Sequence, residues 1–167
     1  MQSNIQQKNM ETQYGVSGLG GWLVLVQIGL YGSLVLAAIQ FFFYLLPSFE
    51  SETWDLLTSK DSEIYHVLWG PMLAFETVYH VVLIGFCTYI LFQFYARKSS
   101  VPKLMILFYT LSLVACGLDY LFIQLIPIAK ELDDGSTLRD GIRSLLTCAI
   151  WVPYFLKSER VENTFIR

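Results

Sequence analysis

Two long stretches of this sequence carry almost no charge, and they constrain the fold more than any other feature. Residues 12–49 contain no Asp, Glu, Lys or Arg, and residues 104–129 contain only Asp119. Over the whole chain 15% of the residues are charged, whereas a soluble domain usually has about 25%. The distribution excludes a soluble globular domain, a disordered chain and a secreted disulfide scaffold. It predicts a helical protein that crosses a membrane several times.

Four segments are long and apolar enough to be membrane-spanning helices. Such a helix needs about 20 mostly apolar residues, because the hydrocarbon layer is roughly 30 Å thick and each residue rises about 1.5 Å. The predicted helices cover residues 21–46, 69–95, 103–128 and 137–156. Thr137 and Asp140 have the spacing of a capping box at the start of the fourth helix, whose first turns also carry Arg139 and Arg143. The predicted fold class is an all-α membrane protein, a four-helix transmembrane bundle.

The two ends of this bundle carry opposite charge, and this sets the expected orientation. One end holds the loop between the second and third helices and both tails, with Lys8, Arg97, Lys98, Lys103, Lys157, Arg160 and Arg167. The other loops are rich in Asp and Glu. Since short loops rich in Lys and Arg stay in the cytoplasm, we predict cytoplasmic tails at residues 1–17 and 158–167, around a single transmembrane domain at residues 18–157. The overall net charge of −3 is an average over these two oppositely charged faces, so it gives no reason to expect a nucleic-acid partner.

Ionisable residues inside the apolar layer are the candidate functional residues: Glu76, His80, Asp119 and Arg143. A charge there costs about 2.5–3.5 kcal/mol unless it is paired, neutralised or wetted. By helical rise, Glu76, Asp119 and Arg143 lie about 9–12 Å from the outer membrane face, and His80 lies near mid-membrane. The simplest arrangement pairs Arg143 with Glu76 or Asp119. Such a cluster either staples the helices together or forms a polar pocket, open to the periplasm, that binds a proton, an ion or a small ligand.

Metal binding and catalysis receive little support from the same residues. Glu76 and His80 have helical ligand spacing, and Asp119 adds at most a third ligand. A haem with two histidine ligands needs a second deep histidine, and His66 lies outside the predicted helix. No phosphate-binding loop, nucleophile triad or metalloprotease motif is present. We therefore expect neither a cofactor nor a metal, and no enzymatic activity.

Small and polar residues indicate how the helices pack. Gly29, Ser33 and Ala37 are four residues apart on the first helix, a stripe that lets another helix approach closely. It forms either a seam within the bundle or the face of a homodimer. Scattered glutamines are interpreted as interhelical hydrogen bonds or interface anchors, and the cysteines as packing residues: Gln27, Gln40, Gln93, Gln124, Cys87, Cys116 and Cys148.

Both ends of the predicted bundle carry short motifs. The first helix starts Gly18-Leu19-Gly20-Gly21-Trp22-Leu23, and the chain closes with Trp151-Val152-Pro153-Tyr154 followed by Ser158-Glu159-Arg160-Val161-Glu162-Asn163-Thr164-Phe165. This combination resembles the family of small bacterial inner-membrane proteins called domain of unknown function 2569, over nearly the whole chain after residue 14. The resemblance implies a four-helix protein of the bacterial inner membrane, and it implies no particular activity.

Three functions stay open at this point. The first is a non-enzymatic accessory or interaction protein of the cell envelope, with the lipid bilayer, a second copy or a membrane partner protein as its partners. The second is a small transporter or a protein that binds a proton, ion or small ligand in the polar pocket. The third, a membrane enzyme acting on lipid or quinone, has no motif to support it. The last residues of the chain either fray, dock near Gly18–Trp22 as a cap, or bind a partner.

Overall fold

The computed structural model describes residues 17–166, which form helices and connecting turns without a β-strand. The helices are α1 (Trp22–Gln40), α2 (Ser51–Thr58), α3 (Trp69–Tyr95), α4 (Val101–Leu125), α5 (Pro127–Leu132), α6 (Ser136–Lys157) and α7 (Glu159–Thr164). Beyond Gln40, α1 continues through a π-helical turn and a 3₁₀ turn as far as Phe49. The prediction of an all-α fold is confirmed, and the four long helices lie close to the predicted ranges.

Three segments are long and apolar enough to cross a membrane: Trp22–Phe49, Trp69–Tyr95 and Val101–Leu125. The third ends a little earlier than predicted, because the chain breaks at Ile126 before Pro127 starts the short helix α5. The fourth long helix, α6, is less apolar, since Arg139, Asp140 and Arg143 lie in its first turns. Its 22 residues nevertheless rise over about 33 Å.

The capping box predicted at the start of α6 is wrong. Gly135 precedes the helix with a left-handed φ of 83°, a conformation that glycine adopts without steric cost. The carboxylate of Asp133, which lies before the helix, accepts hydrogen bonds from the hydroxyl and backbone N–H of Thr137 at 3.0 and 3.4 Å. Asp140 does not reach back toward Thr137 and pairs instead with Arg143 at 3.2 Å.

Neighbouring long helices run antiparallel. Between α1 and α3, the hydroxyl of Tyr95 donates to Gln27, and Gln40 contacts His80. Residue numbers therefore rise along one helix in the direction in which they fall along the other. Aromatic contacts show the same relation between α3 and α4, where the ring pairs are Phe86–Phe108 and Phe75–Phe122. Since α6 also runs back along α4, the start of α1 and the end of α6 lie at the same end of the bundle.

The main hydrophobic core fills the end of the bundle where α1 begins and α6 ends. Fully buried residues there include Leu23, Leu30, Ile90, Phe94 and Met105. A second, smaller cluster around Met72 and Ile126 joins α3 to the α4–α5 bend at the opposite end.

Candidate functional site

A cavity of about 790 Å³ lies among the four long helices, on the far side of the main core. Its walls come from the second half of α1 with the turns that follow, the first half of α3, α4 from Phe108 onward, and the start of α6. Within the described part of the chain, three carboxylates and one histidine line it, whereas no lysine or arginine does: Glu76, His80, Asp119 and Asp140. Its walls are partly acidic and partly apolar.

His80 lies deep in this cavity wall, with 9% of its surface exposed. Its Nδ1 donates a hydrogen bond to the backbone carbonyl of Glu76, one helical turn earlier on α3, at 2.8 Å. Its Nε2 lies 3.0 Å from the side-chain oxygen of Gln40 on α1. An imidazolium ring satisfies both oxygens as a donor, whereas a neutral ring keeps both bonds only when the Gln40 amide turns to donate.

Gln40 also marks a change in the backbone of α1. The next residues, Phe41–Leu45, form a π-helical turn, and Tyr44 and Leu45 of this turn line the cavity. Single π-helical turns inside longer helices occur frequently at functional sites.

Asp119 faces the cavity from α4. Its Oδ1 is fully buried and has no hydrogen-bond partner among residues 17–166, although a buried acceptor left without a donor costs roughly 1–3 kcal/mol. Glu76 on α3 lines the same cavity. The structure therefore brings together three of the four candidate residues, namely Glu76, His80 and Asp119.

The fourth candidate, Arg143, lies elsewhere, and the predicted pairing with Glu76 or Asp119 is wrong. Its guanidinium contacts Asp140 on the same helix at 3.2 Å, and its side chain is 74% exposed. Within the described residues the other ion pair, Arg139–Asp134, is also exposed. Position in the sequence fixes where Arg143 lies along α6, but the rotation of α6 against α4 turns it away from Glu76 and Asp119.

The small-residue stripe on α1 does not act as one seam. A methyl group added at Gly29 meets no atom within 4 Å, so no helix of the described chain approaches closely there. Ser33 lines the cavity, and Ala37 is buried. The expected intramolecular seam is therefore wrong at Gly29, and the homodimer alternative stays a prediction.

Several cavity residues were missed by reasoning from the sequence. Ser112 and Asp140 line the cavity, and neither differs in sequence from an ordinary polar residue of a helix. Gln40 was noted only among scattered glutamines. The usable signal for Gln40 was its depth, because it lies inside an apolar segment where an amide needs a partner.

At the other end of the bundle, the last residues of the chain dock onto its first described residues. The hydroxyl of Thr164 accepts a hydrogen bond from the Gly18 N–H at 2.8 Å and donates one to the Gly18 carbonyl at 3.3 Å. Phe165 is 4% exposed, and its ring lies 5.1 Å from that of Phe94 in the core. Of the alternatives for the tail, the structure shows the docked cap, and Val161 and Phe165 belong to the core of the bundle.

Comparison with known proteins places the chain in a family. The family model described as "Protein of unknown function (DUF2569)" matches residues 16–166. The chain belongs to this family. This match confirms the resemblance noted in the sequence, and the matched residues include both end motifs. The chain is also similar to "Inner membrane protein YdgK" of Escherichia coli (strain K12), with 26% identity over 148 residues, 89% of this chain and 93% of that protein. No solved structure matches.

In this DUF2569 protein the two end motifs meet at one place. The guanidinium of Arg160 lies over the backbone of Gly20 and Gly21, where an added methyl group would lie 3.5 and 3.3 Å from it. Gly21 also has a φ of 62°, so it combines a close approach with a backbone conformation that favours glycine. The ring of Trp22 packs edge-on against the ring of Trp151, with 6.2 Å between the ring centroids. Trp151 lies in α6, two residues before Pro153. We name this contact between Gly18–Trp22 and Arg160–Phe165 the terminal clasp.

Proposed function

We propose that this DUF2569 protein is a multi-pass protein of the inner membrane that binds a small ligand in the cavity among its long helices, and that it is not an enzyme. The observation that carries the proposal is the cavity itself. It has a volume of about 790 Å³, within the range of roughly 300–1,000 Å³ typical of ligand sites. Polar side chains from several helices line it in an otherwise apolar bundle, and the buried Oδ1 of Asp119 has no donor among the described residues.

The proposed topology has four crossings with both termini in the cytoplasm. The antiparallel order of the helices and the terminal clasp support it, because the two described ends of the chain lie together at one end of the bundle. The basic residues Arg97 and Lys98, in the turn between α3 and α4, lie at that same end. By the preference of basic loops for the cytoplasm, the clasp faces inward and the cavity lies toward the periplasmic side.

The charges of α6 are compatible with this fourth crossing. Arg139 and Arg143 lie in the first turns of the helix and are exposed. Long basic side chains near a helix end extend toward the polar headgroups while their stems lie along apolar surface. The relative in Escherichia coli is named an inner membrane protein, which supports the same membrane for this chain.

Binding is favoured over a purely structural role because the predicted ionic staple is not formed. If Glu76 and Asp119 served only to hold the helices, an opposite charge on a neighbouring helix would face them. The ion pairs of the described residues lie instead on the outside of α6. Binding is favoured over catalysis because both ring nitrogens of His80 face oxygens of Glu76 and Gln40, so the ring does not activate a serine hydroxyl.

Cysteine labelling in whole cells tests whether the cavity is wet and open to the periplasm. In a chain with its native cysteines replaced, Ser112→Cys places a thiol in the cavity wall, and Val114→Cys places one on the exposed outer face of the same helix. We expect a small charged thiol reagent, which does not cross the inner membrane, to label position 112 and to leave the lipid-facing position 114 unlabelled. Protection of both positions would contradict the proposal and favour the accessory-protein alternative.

A further inference from the structure

The chemistry of the cavity wall specifies the class of ligand. We infer that the cavity takes a small organic cation, an amine with an apolar body, whose ammonium group is held by Asp119 and Glu76. This inference rests on the proposed function and adds the ligand's charge, size and mode of recognition. Charge, volume and aromatic content each contribute to it.

Charge excludes an anion. Glu76, Asp119 and Asp140 line the cavity, and among the described residues no lysine or arginine joins them. An anion in this space would face carboxylates in a medium where charges are weakly screened, and nothing in the wall except His80 would compensate it. A cation meets complementary charge on two helices, Glu76 on α3 and Asp119 on α4, since Asp140 on α6 is paired with Arg143.

Volume excludes a bare metal ion as the natural occupant. The space of about 790 Å³ is many times the roughly 30 Å³ share of one water molecule. Among residues 17–166, no three His, Cys, Asp or Glu side chains are arranged to hold a metal ion. The carboxylates therefore surround a space that fits an organic molecule and do not converge on a single point.

Aromatic and apolar residues complete the recognition of such a molecule. Tyr44, Tyr79 and Phe108 line the cavity together with aliphatic side chains. Aromatic faces attract ammonium groups by about 0.5–2 kcal/mol, more strongly where water is excluded, and they also cover the apolar part of a ligand. Tyr79 is fixed by stacking on Phe75 at 6.2 Å, so this part of the wall is preformed.

Asp119 is the anchor in this arrangement. Its side chain lines the cavity, and its buried Oδ1 has no donor among the described residues. Hydrogen bonds between an ammonium and a carboxylate are roughly twice as strong as neutral ones. Glu76 and the ring of His80 lie in the same wall, so the cationic end of the ligand is expected between α3 and α4.

The test uses one molecular shape in three charge states. Titration calorimetry of the purified full-length protein in mild detergent compares cyclohexylammonium, cyclohexanol and cyclohexanecarboxylate, with linear and larger cyclic ammonium ions extending the cation series. We expect saturable binding of cations, with the neutral and anionic analogues at least about tenfold weaker. Asp119→Asn is expected to weaken cation binding about tenfold or more, whereas Asp61→Asn, in the exposed loop before α3, leaves it unchanged.

The outcomes separate this inference from the proposed function. Equal or tighter binding of the alcohol or the carboxylate would overturn the cation inference and leave a ligand-binding cavity in place. If no cation binds but position 112 is labelled from the periplasm, the cation inference is likewise overturned while the ligand-binding cavity is retained. Failure of binding together with protection of position 112 would overturn both. If Asp119→Asn does not fold, Glu76→Gln provides the second variant, with the same expected loss.

Discussion

The terminal clasp makes a prediction that rests on one hydroxyl group. Thr164 is 2% exposed, and its hydroxyl both accepts from and donates to the backbone of Gly18, at 2.8 and 3.3 Å. Thr164→Val keeps the shape of the side chain and removes both hydrogen bonds. The packing of Val161 and Phe165 is retained, so the change isolates the polar part of the contact.

The expected magnitude follows from these two bonds. A hydrogen bond contributes about 1 kcal/mol net, and a donor left unsatisfied in a partly buried site costs up to about 3 kcal/mol. The stronger bond, from the Gly18 N–H, leaves such a donor behind. We expect Thr164→Val to destabilise the docked tail by about 2 kcal/mol, which raises the population of the undocked tail about thirtyfold.

Two measurements on the purified full-length protein report this loss. Titration with a denaturing detergent, followed by circular dichroism, gives the free energy of unfolding. Tryptic cleavage after Arg160 reports local release of α7, because its rate follows the population of the open form when opening is fast. We expect a lower free energy of unfolding, by up to about 2 kcal/mol, and cleavage accelerated by about one order of magnitude or more.

Thr110→Val is the matched control. The Thr110 hydroxyl donates to the Ile106 carbonyl within its own helix, at an exposed position of α4, so its loss is expected to change stability by less than about 0.5 kcal/mol. If Thr164→Val behaves like Thr110→Val in both measurements, the clasp contributes no stability and the reasoning is refuted.

Further predictions concern single positions, and the same detergent titration measures each of them. The free energy of unfolding of Arg143→Ala is expected to stay within about 0.5 kcal/mol of wild type, since the ion pair of Arg143 is exposed. A large loss of stability would instead support an ion pair between Arg143 and a carboxylate of another helix. Gly21→Ala is expected to destabilise the folded protein by about 1–2 kcal/mol, because Gly21 has a φ of 62°. Gly29→Ala is expected to stabilise it by up to about 1 kcal/mol, because the added methyl group meets open space in a helix interior. Phe165→Ala removes a ring from the core and is expected to destabilise by about 3 kcal/mol; an effect under about 1 kcal/mol would show that the tail adds little to the core.

The positions of the long helices could be predicted from the sequence because the signals are local. Charge-free segments and the prolines at positions 102 and 127 act on their own neighbours in the chain. The family resemblance was readable for the same reason, as short runs at the two ends. The positions of Glu76, His80 and Asp119 along their helices followed from counting residues.

Which of these residues meet was decided only by the tertiary structure. A helical period of 3.6 fixes which residues share a face, but the direction of that face depends on how the helix is rotated against its neighbours. Rotation turned Arg143 outward and left Asp119 facing an open space. Docking of Thr164 on Gly18 likewise joins residues 146 positions apart, a contact with no local signal. The sequence by itself therefore determined the helices and the order of residues along them, whereas packing between distant segments determined the cavity and the clasp.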